Sequence, residues 1–285
     1  MSFPAPIQLQ PAAARAIYYV ILPLALLVWL LPLLGIALTS LRSIEDISRG
    51  NVWAWPVDPQ GLGNYLAVLR DTHLLQFLFN SLAITVPALA GTLALSCMAG
   101  FALARLEFRG NVVLLVMFVA GNLVPFQVLM IPVREMMVNV FAIYDTRFAL
   151  ILFHIAFQTG FATLFMRNFF RQLPDALFDA ARIDGWGELR IFWAIAVPLV
   201  RPAIAGLAAL IFTFVWNDYF WSLVLVHSDQ VRPVTAGLQS LRGMFLSSWN
   251  LIAAASIIAA LPPVLVFILL QRHFIAGLTA GATGD

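Results

Sequence analysis

Lysine is absent from this sequence. Its absence removes the lysine of a phosphate-binding Walker A loop and any Schiff-base chemistry. The chain is therefore not expected to be its own P-loop ATPase. Cysteine is nearly absent, with Cys97 alone inside an apolar run. That excludes a disulfide framework and a thiolate metal cluster, and leaves Cys97 as a small packed hydrophobe. Charge of either sign is scarce. Charged residues make up 11% of the 285 and hydrophobic ones 62%, whereas soluble domains carry about a quarter charged. Such a chain belongs in a membrane. A net charge of +2 gives no reason to expect nucleic acid. No Ser-His-Asp arrangement, paired catalytic carboxylates or phosphate loop emerges, so enzyme chemistry has no foothold.

What the chain has is long apolar runs. Residues 16–41 hold no charge, and about 20 apolar residues suffice to cross a bilayer. The same reasoning places spans at about 76–104, 110–132, 148–167, 202–226 and 248–271. The first run is longer than the apolar core of a secretory signal, and no small-x-small cleavage site follows it. Between the first two spans, Trp53, Trp55, Pro56, Pro59, Gly61 and Gly63 suit an interfacial loop. Pro125 and Pro132 interrupt the third run late. The fold class expected is an all-α membrane protein of six transmembrane helices, a single domain over 1–285. Six spans put both termini on one side. The arginines hugging the helix ends, Arg105, Arg109, Arg167, Arg171 and Arg201, give that side a thin cytoplasmic bias. Its assignment as cytoplasmic rests more on what the loop after the fourth span resembles.

One stretch breaks the oily pattern. From Arg167 to Arg201 there are nine charged residues, a density that belongs in water. Residues 168–201 therefore form a loop between the fourth and fifth spans. Pro174-Asp175 is a helix start, with Asp175 a candidate N-cap. Leu173, Leu177, Ala180, Ala181 and Asp184 share one face by their spacing, and the two alanines on the exposed face leave room for a partner. Gly185 sits where the left-handed C′ residue ends a helix. A second helical run follows and ends before Pro198.

Asp179-Ala180-Ala181, then Gly185, Ile195, Val197 and Pro198, resemble the cytoplasmic "EAA" loop of ABC importer permeases. Every spacing of that pattern is kept. Asp179 replaces its glutamate and Val197 its leucine, which preserve charge and apolarity. Asn80-Ser-Leu, Ala99-Gly-Phe-Ala-Leu-Ala-Arg105 and Phe108-Arg-Gly are similar to the second helix and following turn of these permeases. Val128-Leu-Met-Ile-Pro132, Trp216-Asn-Asp-Tyr-Phe-Trp221 and the stretch from Gln271 to Gly281 resemble the carbohydrate-uptake, maltose-type branch. The resemblance implies a permease subunit of a bacterial importer in the inner membrane, carrying a sugar or sugar-like solute by alternating access. It implies a coupling helix around Asp179, Ala180, Ala181, Asp184 and Gly185, docked on a separate ATPase. It implies as partners a second permease subunit, two ATPase subunits that hold ATP and Mg, and an external solute-binding protein. The rival reading of the loop is an ordinary amphipathic connection, and the rival function a secondary transporter or channel without an ATPase.

Asn217 and Asp218 lie within the fifth apolar run, flanked by Trp216 and Tyr219. An ionisable residue there is costly and should face the bundle interior or a wet cavity. Acceptors beside aromatic rings suit sugar recognition, since hydroxyls want partners and the C–H face wants an apolar surface. A structural hydrogen bond to a neighbouring helix, or a place in the headgroup zone, explains the pair equally well. His154, with no histidine or carboxylate near it in sequence, reads as structural, and no metal is expected.

Overall fold

The computed structural model describes residues 11–50, 53, 55–244 and 248–282. The described residues are helical, apart from turns and one isolated bridge between Arg42 and Pro59. Hydropathy dictates this: in lipid every backbone group must be satisfied within the chain, which a helix does locally. The helices are α1 (Ala12–Ser40), α2 (Ile44–Ser48), α3 (Gly63–Asp71), α4 (Leu74–Arg105), α5 (Asn111–Leu123), α6 (Met130–Glu135) and α7 (Arg147–Gln172). Then come α8 (Asp175–Ile183), α9 (Glu188–Ile191), α10 (Val197–Leu199), α11 (Arg201–Trp216), α12 (Phe220–Leu225), α13 (Val234–Met244) and α14 (Trp249–Ala282).

Among the described residues, four segments are long and apolar enough to cross a membrane: Arg15–Ser40, Leu74–Arg105, Arg147–Gln172 and Trp249–Gln271. Two bent pairs raise the number to as many as six. Asn111–Leu123 meets Phe126–Val140 at 94°, and Glu188–Leu199 meets Arg201–Trp216 at 77°. The third apolar run therefore does not hold one helix over 110–132. It stops at Leu123, where Val124 turns extended at ψ 122°, the backbone that the following Pro125 favours. The fifth run is also not continuous over 202–226. At 1.5 Å per residue the 16 residues of α11 reach about 24 Å, short of a bilayer core of about 30 Å.

The chain forms two compact units. The first comprises residues 1–72 and 241–258. Its centre is Asn64, which donates to the carbonyls of Ser40 and Arg42, both at 2.9 Å, and accepts from the Asn250 amide at 3.0 Å. Ser43 caps α2 by accepting the Asp46 amide at 3.2 Å. Asp46 in turn accepts from the backbone of Val57 at 3.1 Å. Polar side chains thus order the segment between the first two spans.

The second unit comprises residues 73–240 and 259–285. Its core is the α4–α7 crossing, which Gly100 permits. A Cβ there would lie 2.9 Å from the Arg167 amide nitrogen and from Met166 Cβ. Below the crossing, Phe101 packs against Phe170, Phe178 and Phe192 with ring centroids 5.6, 6.3 and 5.3 Å away. Away from that crossing Arg147 Nε donates to Asn80 Oδ1 at 3.0 Å. Asn80 then holds the carbonyls of Gln230 and Arg232. Asp145, at φ 59°, accepts the amides of His227 at 2.7 Å and Ser228 at 2.9 Å.

Candidate functional site

The loop after α7 folds as its punctuation dictates, with three differences from expectation. Pro174, not Asp175, occupies the N-cap of α8, and Asp175 is the first helical residue. Its carboxylate caps nothing and pairs instead with Arg105. At the other end, the amide of Gly185 donates to Arg182 at 3.0 Å and that of Trp186 to Ala181 at 3.0 Å. This is a Schellman closure, with Gly185 left-handed at φ 80°. Nothing lies within 4 Å of where its Cβ would be, so backbone conformation, not space, demands glycine there. The second difference concerns the alanines. Ala180 is exposed, but Ala181 is buried beside Phe178 in the aromatic cluster. Fully burying Phe178 contributes about 1.5–3 kcal/mol to holding α8 against the bundle. The third is Pro198. The run after Gly187 does not end before it but continues through a wide turn over Phe192–Ala196 to Leu199. Wide turns of this kind accommodate irregularities in the hydrogen-bond ladder.

The solvent face of α8 carries Asp179, Ala180, Asp184 and two apolar side chains, Leu177 at 44% exposure and Ile183 at 86%. Ile183 follows Asp179 by four residues and Ala180 by three, so a helical wheel would have revealed it on that face. Arg182 pins the loop internally, donating to Glu188 at 2.7 Å and Asp179 at 3.2 Å. The Glu188 carboxylate first, then Asp179, holds its guanidinium above the usual arginine range, against the effect of burial.

The second candidate region is the break between α11 and α12. Asn217 and Asp218 close α11, with the Asp218 amide reaching back to Val215 at 3.3 Å. The Asp218 carboxylate then accepts the amides of Trp221 at 3.3 Å and Ser222 at 3.0 Å. Short acidic side chains compete for backbone donors in this way, which is why they sit at helix ends. His154 of α7, expected to lack a carboxylate, has one: its Nε2 stands 3.6 Å from Asp218 Oδ2. Trp216 is buried, its indole N–H donating to Ala259 at 3.1 Å and its ring stacked on Phe212. Asn217 and Tyr219 are exposed. None of the four lines the apolar cavity of about 540 Å³ bounded by Met117, Asn122, Met136, Phe153 and Gly160.

The described residues form an all-α fold with four, or up to six, helices able to cross a membrane, and that fold is the one of an ABC importer permease. Residues 92–279 match the family described as "Binding-protein-dependent transport system inner membrane component". The chain belongs to that family. It is 35% identical over 261 residues to an osmoprotective compounds uptake permease protein of Synechocystis, covering 90% of this chain and 87% of that one. It is 33% identical over 253 residues to the arabinooligosaccharides transport system permease protein AraQ of Halalkalibacterium halodurans, covering 88% and 89%. A crystal structure of a bacterial ABC transporter involved in alginate import has the same fold. Its TM-score is 0.79 at 24% identity, covering 93% of this chain and 99% of that one.

Proposed function

We propose that this chain is a membrane-spanning permease subunit of a bacterial ABC importer for a sugar or sugar-like solute. It acts as one transmembrane permease domain with both termini cytoplasmic, beside a second permease subunit, two ATPase subunits and an external solute-binding protein. ATP and Mg belong to the ATPase subunits, since this chain has no lysine for a phosphate loop. The carbohydrate class is supported by relatives named for arabinooligosaccharides and sulfoquinovosyl glycerol transport.

The observation that carries the coupling role is α8 itself. It is a short helix with one face buried on the bundle and the other offering Leu177, Ala180 and Ile183 beside Asp179 and Asp184. An apolar centre rimmed by charge is how a docked surface is built. In this reading Asp179, Ala180, Asp184 and Gly185 face or shape the contact with the ATPase, and Ala181 seats the helix from behind. Closing of the ATPase dimer on ATP moves α8, and the spans on either side open outward; hydrolysis resets them. Asn217 and Tyr219 contact the solute, Asp218 positions them through its bonds to α12, and Trp216 anchors the break against α14.

Gly185→Val tests the coupling role, because a β-branched residue strongly resists positive φ. The variant is expected to insert normally yet fail to transport, with ATP hydrolysis no longer stimulated by loaded binding protein. Wild-type stimulation would remove the loop from the coupling machinery.

A further inference from the structure

The coupling reading leaves open how movement of α8 reaches helices to which it is not joined in sequence. Arg105, the last residue of α4, lies against the joint between α7 and α8. Its side chain is only 7% exposed. Nε and Nη2 donate to the Phe170 carbonyl at 2.9 and 2.6 Å, and Nη2 also to the Leu173 carbonyl. Nη1 pairs with Asp175, and the guanidinium carbon sits 4.4 Å from the centre of the Phe178 ring. One side chain from α4 therefore holds the C-terminal carbonyls of α7 and the first and fourth residues of α8.

Chemistry explains why arginine stands here. The last carbonyls of a helix lack internal partners and form its negative end. A planar fork with five donors meets two carbonyls and a carboxylate together while its face covers an aromatic ring. An ammonium has neither the plane nor the spread. The Asp175 carboxylate is 84% exposed, and exposed ion pairs contribute little. The tie therefore resides in the buried carbonyl bonds and the Phe178 stack rather than in charge pairing.

We propose that Arg105 is a positioning residue of the transport cycle, the cross-link that makes α8 and the cytoplasmic end of α4 move as one body. This rests on α8 being the coupling element. Displacement of α8 then reaches α4 sideways, through Arg105, as well as along the chain into α7.

The test uses the complete transporter in proteoliposomes with its ATPase, partner permease and binding protein. Arg105→Lys keeps the charge and loses the fork. It is expected to lower the maximal stimulation of ATP hydrolysis by loaded binding protein, and solute uptake, by about tenfold, within the range of typical coupling between sites. The binding-protein concentration for half-maximal stimulation is expected not to change. Asp175→Asn, which removes only the exposed charge, is expected to stay within about twofold of wild type. Retained stimulation in Arg105→Lys overturns the proposal. So does loss of that variant from the purified complex, which would make Arg105 a folding residue. A second measurement leaves Arg105 intact. Spin labels at Glu107→Cys and Ala176→Cys in a Cys97→Ser background should keep one separation in nucleotide-free and ATP-trapped states. A changed separation overturns the proposal. Gly185→Val in the same assay separates the two readings. If it retains stimulation, the coupling role of α8 falls; if it alone uncouples, only the Arg105 role falls.

Discussion

His154 and Asp218 face each other across α7 and the break in the fifth apolar run, Nε2 to Oδ2 at 3.6 Å. Both side chains are largely buried, at 4% and 12% exposure. The carboxylate is shared between this imidazole and the amides that begin α12. Asp218 is thus a cap and a tertiary contact at once.

Two substitutions separate those duties from solute contact. Asp218→Asn keeps a side-chain oxygen, and asparagine caps helices about as well as aspartate. Asp218→Leu loses the cap, at a cost of about 0.5–2 kcal/mol, besides the contact with His154. The expectation is a lower melting temperature for the purified Asp218→Leu complex and a near-native one for Asp218→Asn. Asn217→Ala and Tyr219→Ala should leave melting unchanged but alter uptake rate or solute preference. If uptake by both is native in rate and preference, the solute does not pass this break.

At Gly100 the backbones of α4 and α7 lie so near that an added Cβ would stand 2.9 Å from the Arg167 amide nitrogen. Gly100→Val is expected to force backbone apart, and overpacking typically costs about 1–3 kcal/mol. Gly121→Ala is the contrast, since its added Cβ meets nothing within 4 Å and alanine gains up to about 1 kcal/mol of helix propensity. Thermal melts of the two variants should move in opposite directions. Equal shifts would show that the crossing tolerates a side chain.

Asp145 provides a pH-dependent contact on the loop before α7. Burial raises its carboxyl, but the amides of Ser228 and His227, the Ser228 hydroxyl and the neighbouring His227 charge outweigh that and hold it below the usual carboxylate range. A depressed folded pKa contributes stability that is present above the unfolded value and lost as pH falls through the folded one. Asp145→Asn tolerates the left-handed backbone and keeps the accepting oxygen, so it removes only the charge. Wild type should exceed Asp145→Asn in stability at neutral pH, and the two should converge in acid below the ordinary carboxylate range. A gap unchanged by acid would assign the difference to something other than this charge.

Topology is testable with single cysteines in a Cys97→Ser background. Positions 109 and 188 should be cytoplasmic, and positions 58 and 229 external. An impermeant thiol reagent that labels position 188 from outside intact cells would reverse the orientation.

The sequence by itself determined the class of the protein. Uncharged runs long enough for a bilayer are countable, and the spacing from Asp179 to Pro198 is a local pattern, as is the glycine that ends α8. Those signals are legible because each depends on residues within a few turns of one another. The capping ability of Asn217-Asp218 was also local, but the apolar run around the pair concealed it, since composition counts length and not hydrogen bonds. Tertiary structure alone decided that the two alanines of α8 part company, Ala181 turning inward and Ala180 staying exposed. It alone brought Arg105 to Asp175 across 70 residues and Asp145 to His227 across 82. Such contacts depend on how each helix is rotated about its axis and where it bends. Rotation is set by packing at points such as Gly100, where two backbones meet, and no single segment carries that information.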